Sequence, residues 1–129
     1  MRPQARLCGS ALAAGRVAIG AVALVRPDLM ARAWVGAVHA AGPAGVVLGR
    51  AAGGRDIALG VGALLASSRG TGRGLLSWTV AGAFCDAVDA VATAVSWREL
   101  PPLGRYAVAG AASSGAALGV LTVVLARRR

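Results

Sequence analysis

The chain has 129 residues, 57% of them hydrophobic and 15% charged, with a formal net charge of +9 and a mean hydropathy of +0.66. So apolar a composition excludes an ordinary soluble domain and points to a membrane protein. The positive charge does not argue for nucleic acid, because all fourteen basic residues are Arg and they are scattered through apolar segments or set at their ends, not gathered with aromatics into a stripe.

About 20 residues of helix cross a hydrocarbon core, and four windows qualify: 7–25, 44–66, 74–97 and 103–126. The first has the basic start and apolar run of a signal peptide, but Arg16 interrupts its middle and no small-x-small cleavage site follows, so a retained span is expected. Arg6 and Leu7 precede Cys8 where a lipid-anchor motif needs small residues. Cys8 and Cys85 fall at different depths, which predicts two small apolar fillers and no disulfide.

The connection after the first span is long. It begins with Pro27 at a helix start and places Leu29, Met30, Ala33, Trp34 and Val38 on one face, with Asp28, Arg32 and His39 near the other. That pattern predicts a short helix lying in the membrane interface, anchored by Trp34. His39, the only histidine, is expected to be a surface-facing polar residue.

The second span carries Arg50, Arg55 and Asp56, and the third carries Asp86 and Asp89 within "FCDAVDAVAT". The loops "SSRGTGR" and "RELPPLG" are short and force antiparallel neighbours. The fourth span has no central charge; its Ser113, Ser114 and Gly115 are placed to hydrogen-bond or to close the bundle. The expected fold is therefore all-α: one membrane domain over 1–129, an integral membrane four-helix bundle with a short interfacial helix between spans one and two. The halves do not repeat, which argues against an inverted-repeat transporter. Arg2, Arg6, Arg69, Arg73, Arg127, Arg128 and Arg129 flank the spans on one side, against Arg26, Arg32, Arg98 and Arg105 on the other. Both termini are thus expected in the cytoplasm of a multi-pass protein of the bacterial plasma membrane.

Six ionisable residues lie inside the windows: Arg16, Arg50, Arg55, Asp56, Asp86 and Asp89. Unpaired at helix centres they would together cost about 15 to 20 kcal/mol, more than the stability of most domains. Matching depths predict Arg50 with Asp89, and Arg16 and Arg55 shared among Asp56 and Asp86. Helix faces support an inward network: Gly9, Ala13, Arg16, Gly20 and Ala23 form one stripe, Gly49, Gly53, Asp56 and Gly60 another, and Thr79, Gly82, Asp86, Asp89, Thr93 and Ser96 a third. Small residues beside each charge allow close helix approach.

Three Arg against three Asp favour a structural lattice, since each Arg holds an Asp ionised. The Asp86-x-x-Asp89 pair also invites a metal, as in enzymes that transfer alcohols onto cytidine diphosphate lipids. Their longer pattern fails here: Ala90 stands where Gly is needed, Thr93 and Ala94 replace the Ala-Arg pair, and no second Asp pair follows. No metal or cofactor is expected, and no nucleophilic triad, phosphate loop or zinc spacing is present.

At "LGRAAGGRDIALGVGAL" followed by "GAFCDAVDAVAT" the chain resembles a family of small four-span membrane proteins common in actinobacteria, a domain of unknown function. Gly54, Arg55, Asp56, Gly60, Asp86 and Asp89 carry the likeness, which covers nearly the whole chain. A more distant likeness is to the DoxX-type membrane subunits associated with quinone-linked redox complexes. The resemblance implies an integral membrane location and no particular reaction. The expected function is that of a non-enzymatic membrane protein with a structural Arg/Asp network, whose partners are the lipid bilayer and other membrane subunits or a second copy. The alternative is an accessory subunit of a membrane redox complex, or a proton-coupled transport component, using Asp86 or Asp89.

Overall fold

A computed structural model describes residues 2–127. Arg128 and Arg129, which enter the orientation count above, lie outside the described residues. Those described form six helices: α1 Pro3–Val25, α2 Pro27–Val35, α3 Ala37–Ala40, α4 Pro43–Ser68, α5 Gly72–Val95 and α6 Pro102–Arg127. Among the described residues there is no strand.

Proline sets most of the boundaries. Pro3, Pro27, Pro43 and Pro102 each open a helix, where the missing N–H costs nothing and the fixed φ already suits the first turn. Gly36, at φ 85°, ends α2, and Gly70, at φ 71°, turns the chain between α4 and α5; both are left-handed conformations that favour glycine. The single interfacial helix expected after the first span is therefore two pieces, broken at Gly36.

The four long helices run 23, 26, 24 and 26 residues, about 35 to 39 Å at the α-helical rise. Sequence neighbours among them are antiparallel. α1 packs most extensively on α4, and α5 on α6, while α4 with α5 and α1 with α6 complete a four-sided arrangement. Helices α1, α5 and α6 are long and apolar enough to cross a membrane. α4 has the length, but Arg50, Arg55 and Asp56 lower its apolarity.

Burial runs opposite to that of a soluble bundle. Ala5, Ala13, Ala23, Ala63 and Ala112 are buried, and the largest fully buried side chains are only Leu75, Thr93 and Thr122. Leu7, Phe84 and Leu103 face outward at 74%, 69% and 84% exposure. The small interior lets backbones touch: a Cβ on Gly20 would stand 2.6 Å from the Gly53 carbonyl oxygen, and one on Gly60 2.6 Å from that of Ala13. The buried hydroxyls of Thr79, Thr93 and Thr122 donate to carbonyls one turn earlier, of Leu75, Asp89 and Leu118, so these three hydroxyls are not stranded by the packing.

α2 lies across the end of the bundle where α1 and α5 finish and α4 and α6 begin. Pro27 sits against Gly49 of α4, and the carbonyls of Ala33 and Trp34 sit against Gly104 of α6. The face turned to the bundle is Pro27 and Ala31, both buried, with Trp34 partly buried beside them. Leu29 and Trp34, expected on one face, part company: Trp34 turns in to reach a hydrogen-bond acceptor, and Leu29 is outside at 43% exposure.

Candidate functional site

Three helices each bring a charged side chain to the interior on the stripe of small residues expected for it. In α1, Gly9, Ala13, Gly20 and Ala23 are buried and carry Arg16 between them. In α4, Gly49, Gly53 and Gly60 carry Asp56. In α5, Thr79, Gly82, Asp86 and Thr93 are buried, with Asp89 on the same side.

The charges form one continuous chain. Arg16 Nη1 donates to Asp56 Oδ1 at 2.9 Å, and its Nη2 donates to Asp86 Oδ2, so one guanidinium ties α1 to α4 and α5. Arg55 grips Asp89 with both terminal nitrogens, at 3.0 and 2.8 Å, the two-pronged geometry that makes Arg–carboxylate pairs strong. Arg55 Nη2 also stands 3.5 Å from Asp56 Oδ1, which joins the two halves. Side-chain exposure is 12 to 18% for Arg16, Asp56, Asp86 and Asp89, and 31% for Arg55. Arg55 Nε is buried without a partner.

Of the six predicted members, Arg16, Arg55, Asp56, Asp86 and Asp89 come together and Arg50 does not. Arg50 is exposed, and the predicted Arg50 to Asp89 pair is replaced by Arg55 to Asp89. The reason is angular. Five residues advance an α-helix by about 140° beyond a full turn, so Arg50 and Arg55 occupy different faces. The face of α4 that meets α5 is marked by Gly62 against Trp78 and Ala66 against Gly74; these follow Arg55 by seven and eleven residues and share its side.

Two glycines that flank the charges have a specific purpose. A Cβ on Gly82 would stand 2.9 Å from Arg16 Nε. One on Gly115 of α6 would collide with the Asp86 carboxylate, so the absent side chain is what admits that carboxylate between α5 and α6. Toward α2, the Trp34 indole N–H donates to the Thr93 hydroxyl at 3.1 Å, which in turn donates to the Asp89 carbonyl at 2.7 Å. This contact was not foreseen, although Thr93 lies on the Asp stripe and Trp34 on the helix expected in the interface.

Another unforeseen cluster joins the turn after α5 to α6. Arg105 Nη1 donates to the Trp97 carbonyl at 2.9 Å, and its guanidinium lies 5.2 Å from the Trp97 ring and 5.5 Å from the Tyr106 ring. Trp97 and Tyr106 meet edge to face at 5.1 Å. Trp, Tyr and Arg together at a span end are the available sequence signal.

Outside the long helices, Arg26 donates to both Asp28 oxygens at 3.1 and 3.0 Å. That hydrogen bond holds the Asp28 carboxyl below the usual carboxylate range, and the amino end of α2 favours the same charge. His39 is exposed on α3, and Cys8 and Cys85 are free thiols. The chain matches no known protein family, no curated protein and no solved structure.

Proposed function

We propose that this is a small integral membrane protein in which all four long helices cross the bilayer, with α2 lying in the interface, and that the Arg/Asp network fixes the register of α1, α4 and α5. The observation that carries the proposal is the pairing of five charged side chains with one another inside an Ala, Gly and Thr interior, while Leu, Val and Phe face outward. In water such a molecule leaves its apolar side chains unsatisfied; in lipid both surfaces are accommodated. Arg55 and Asp56 are no obstacle to a fourth crossing, because they pair with charges on α1 and α5, and the long side chain of Arg50, toward the start of α4, can extend to the interface.

The likeness to the actinobacterial four-span family fits this architecture, and the excess of flanking Arg supports cytoplasmic termini. Gly110, Ser113 and Ser114 are exposed on α6, a small, weakly polar face suited to another helix. The protein's role is to be a scaffold within the bilayer rather than to catalyse a reaction.

The test is a double-mutant cycle in detergent or vesicles, with membrane insertion followed separately by alkaline extraction. Asp89→Asn and Arg55→Gln should each lower stability by about 2 to 4 kcal/mol, because each strands a buried partner, and the double variant should recover part of that loss. Additive losses refute register control by this pair, and release of the wild-type chain from membranes by alkali refutes the membrane architecture.

A further inference from the structure

The network holds two guanidiniums and three carboxylates. With Arg50 on the outside, one negative charge is left without a counter-charge in an apolar interior, an arrangement that costs several kcal/mol unless a cation joins it. A metal ion is poorly served, since hard cations need six or more oxygen ligands and no group of three or more His, Cys, Asp or Glu side chains suited to a metal occurs among the described residues. The cation that fits is a proton.

We propose that the network binds one exchangeable proton, carried by Asp86, and that the proton arrives from the side of the α4–α5 loop. This goes beyond the structural role above. The three carboxylates differ in how they are held. Both oxygens of Asp89 are taken by Arg55, and Asp56 faces both guanidiniums. Asp86 has only Arg16, which it shares with Asp56, and its contact is through Oδ2 alone, so Oδ1 is the uncommitted carboxylate oxygen on the most weakly compensated residue. The charged groups acting on it are Arg16 from α1, Asp56 from α4 and Asp89 on its own helix; α6 presents Gly115 there.

Two hollows lie toward one side. A cavity of about 20 Å³ is bordered by Arg16 and Gly115, both of which stand against Asp86, and has room for about one water. A second hollow of about 90 Å³ lies at the α4–α5 loop between Arg6, Ser67 and Thr71, with Leu75 in its wall. The Leu75 side chain packs on Gly9, which lines the first cavity, and this places the buried Leu75 between hollow and cavity. On the opposite side Trp34 and Thr93 close the network. A hydronium ion arriving on this side gives its proton to the Asp86 carboxylate and remains as water; the reverse step returns the proton to the same side.

Infrared spectroscopy of the full chain in lipid vesicles at neutral pH tests this, with and without carbon-13 in the Asp carboxyl groups. The wild type should show a protonated-acid carbonyl band that shifts with the label and is lost in Asp86→Asn. If that variant does not insert, Asp86→Glu should retain an acid band that no longer responds to labelled Asp. The band should exchange with deuterium oxide faster in Leu75→Ala than in wild type. Absence of an Asp-derived acid band in the inserted wild-type protein, or its persistence in Asp86→Asn, overturns the proposal; equal exchange rates overturn the route. Because insertion is measured on the same samples, failure here is separable from failure of the membrane architecture.

Discussion

Replacing Gly20 by Ala tests a close backbone approach between α1 and α4. The new Cβ would lie 2.6 Å from the Gly53 carbonyl oxygen and 2.8 Å from Ile57 Cγ1. The first neighbour is backbone and cannot swing aside. To bring that contact to 3.4 Å, where ordinary van der Waals spacing begins, α1 and α4 must part by about 0.8 Å. Gly20 lies one helical turn from Arg16, whose bond to Asp56 is 2.9 Å; the same parting takes that bond out of hydrogen-bonding range. Overpacking costs about 1 to 3 kcal/mol, and the weakened ion pair adds to it. Gly15→Ala is the control, since nothing stands within 4 Å of a Cβ there and Ala favours the helix by about 1 kcal/mol. Unfolding by sodium dodecyl sulfate, followed by circular dichroism in mild-detergent micelles, should place Gly20→Ala at least about 1 kcal/mol below wild type and Gly15→Ala at or above it. Equal stability of the two variants would refute the view that backbone contact between α1 and α4 organises the interior.

Arg50→Gln should change stability by less than about 0.5 kcal/mol, as for an exposed substitution, in the same assay that finds Arg55→Gln strongly destabilised; the reverse ranking would restore Arg50 to the network. At α2, the Asp28 carboxyl should titrate below the ordinary carboxylate value of about 3.9, because Arg26 hydrogen-bonds its ionised form. Since the folded state binds that proton less readily than the unfolded chain, the stabilisation is present at neutral pH and is lost as pH falls through the folded value. Carbon-13 NMR of the Asp28 carboxyl should show the low titration, and Arg26→Gln should return it to the ordinary range.

Much of the architecture is written in the one-dimensional pattern because helix length and face are local properties. Pro3, Pro43 and Pro102 start helices within four residues of the expected spans, and the stripes through Arg16, Asp56 and Asp86 point inward as the spacing of Gly and Ala requires. Features that depend on how elements meet are not local. Trp34 looked like an interfacial anchor, and only the placement of α2 across the bundle end puts its indole beside Thr93. Gly115 looked like one small residue among many in α6, and its meaning lies in the Asp86 carboxylate of another helix.

The Arg50 result shows why depth alone misleads. Residue number fixes how deep a side chain sits, and by depth Arg50 and Asp89 match. Pairing also requires the right azimuth, which depends on which neighbouring helix lies on which side of α4. A stripe of small residues locates the α1-facing side, through Gly53 and Gly60, but the α5-facing side is marked by contacts of unlike size, Gly62 with Trp78 and Ala66 with Gly74, that no periodicity reveals. Once that side is known, Arg55 takes Asp89 and Arg50 faces out. The exchange does more than swap one Arg for another. An interior expected to hold three cations and three anions holds two and three, and a lattice that should have been electrically complete acquires room for one proton.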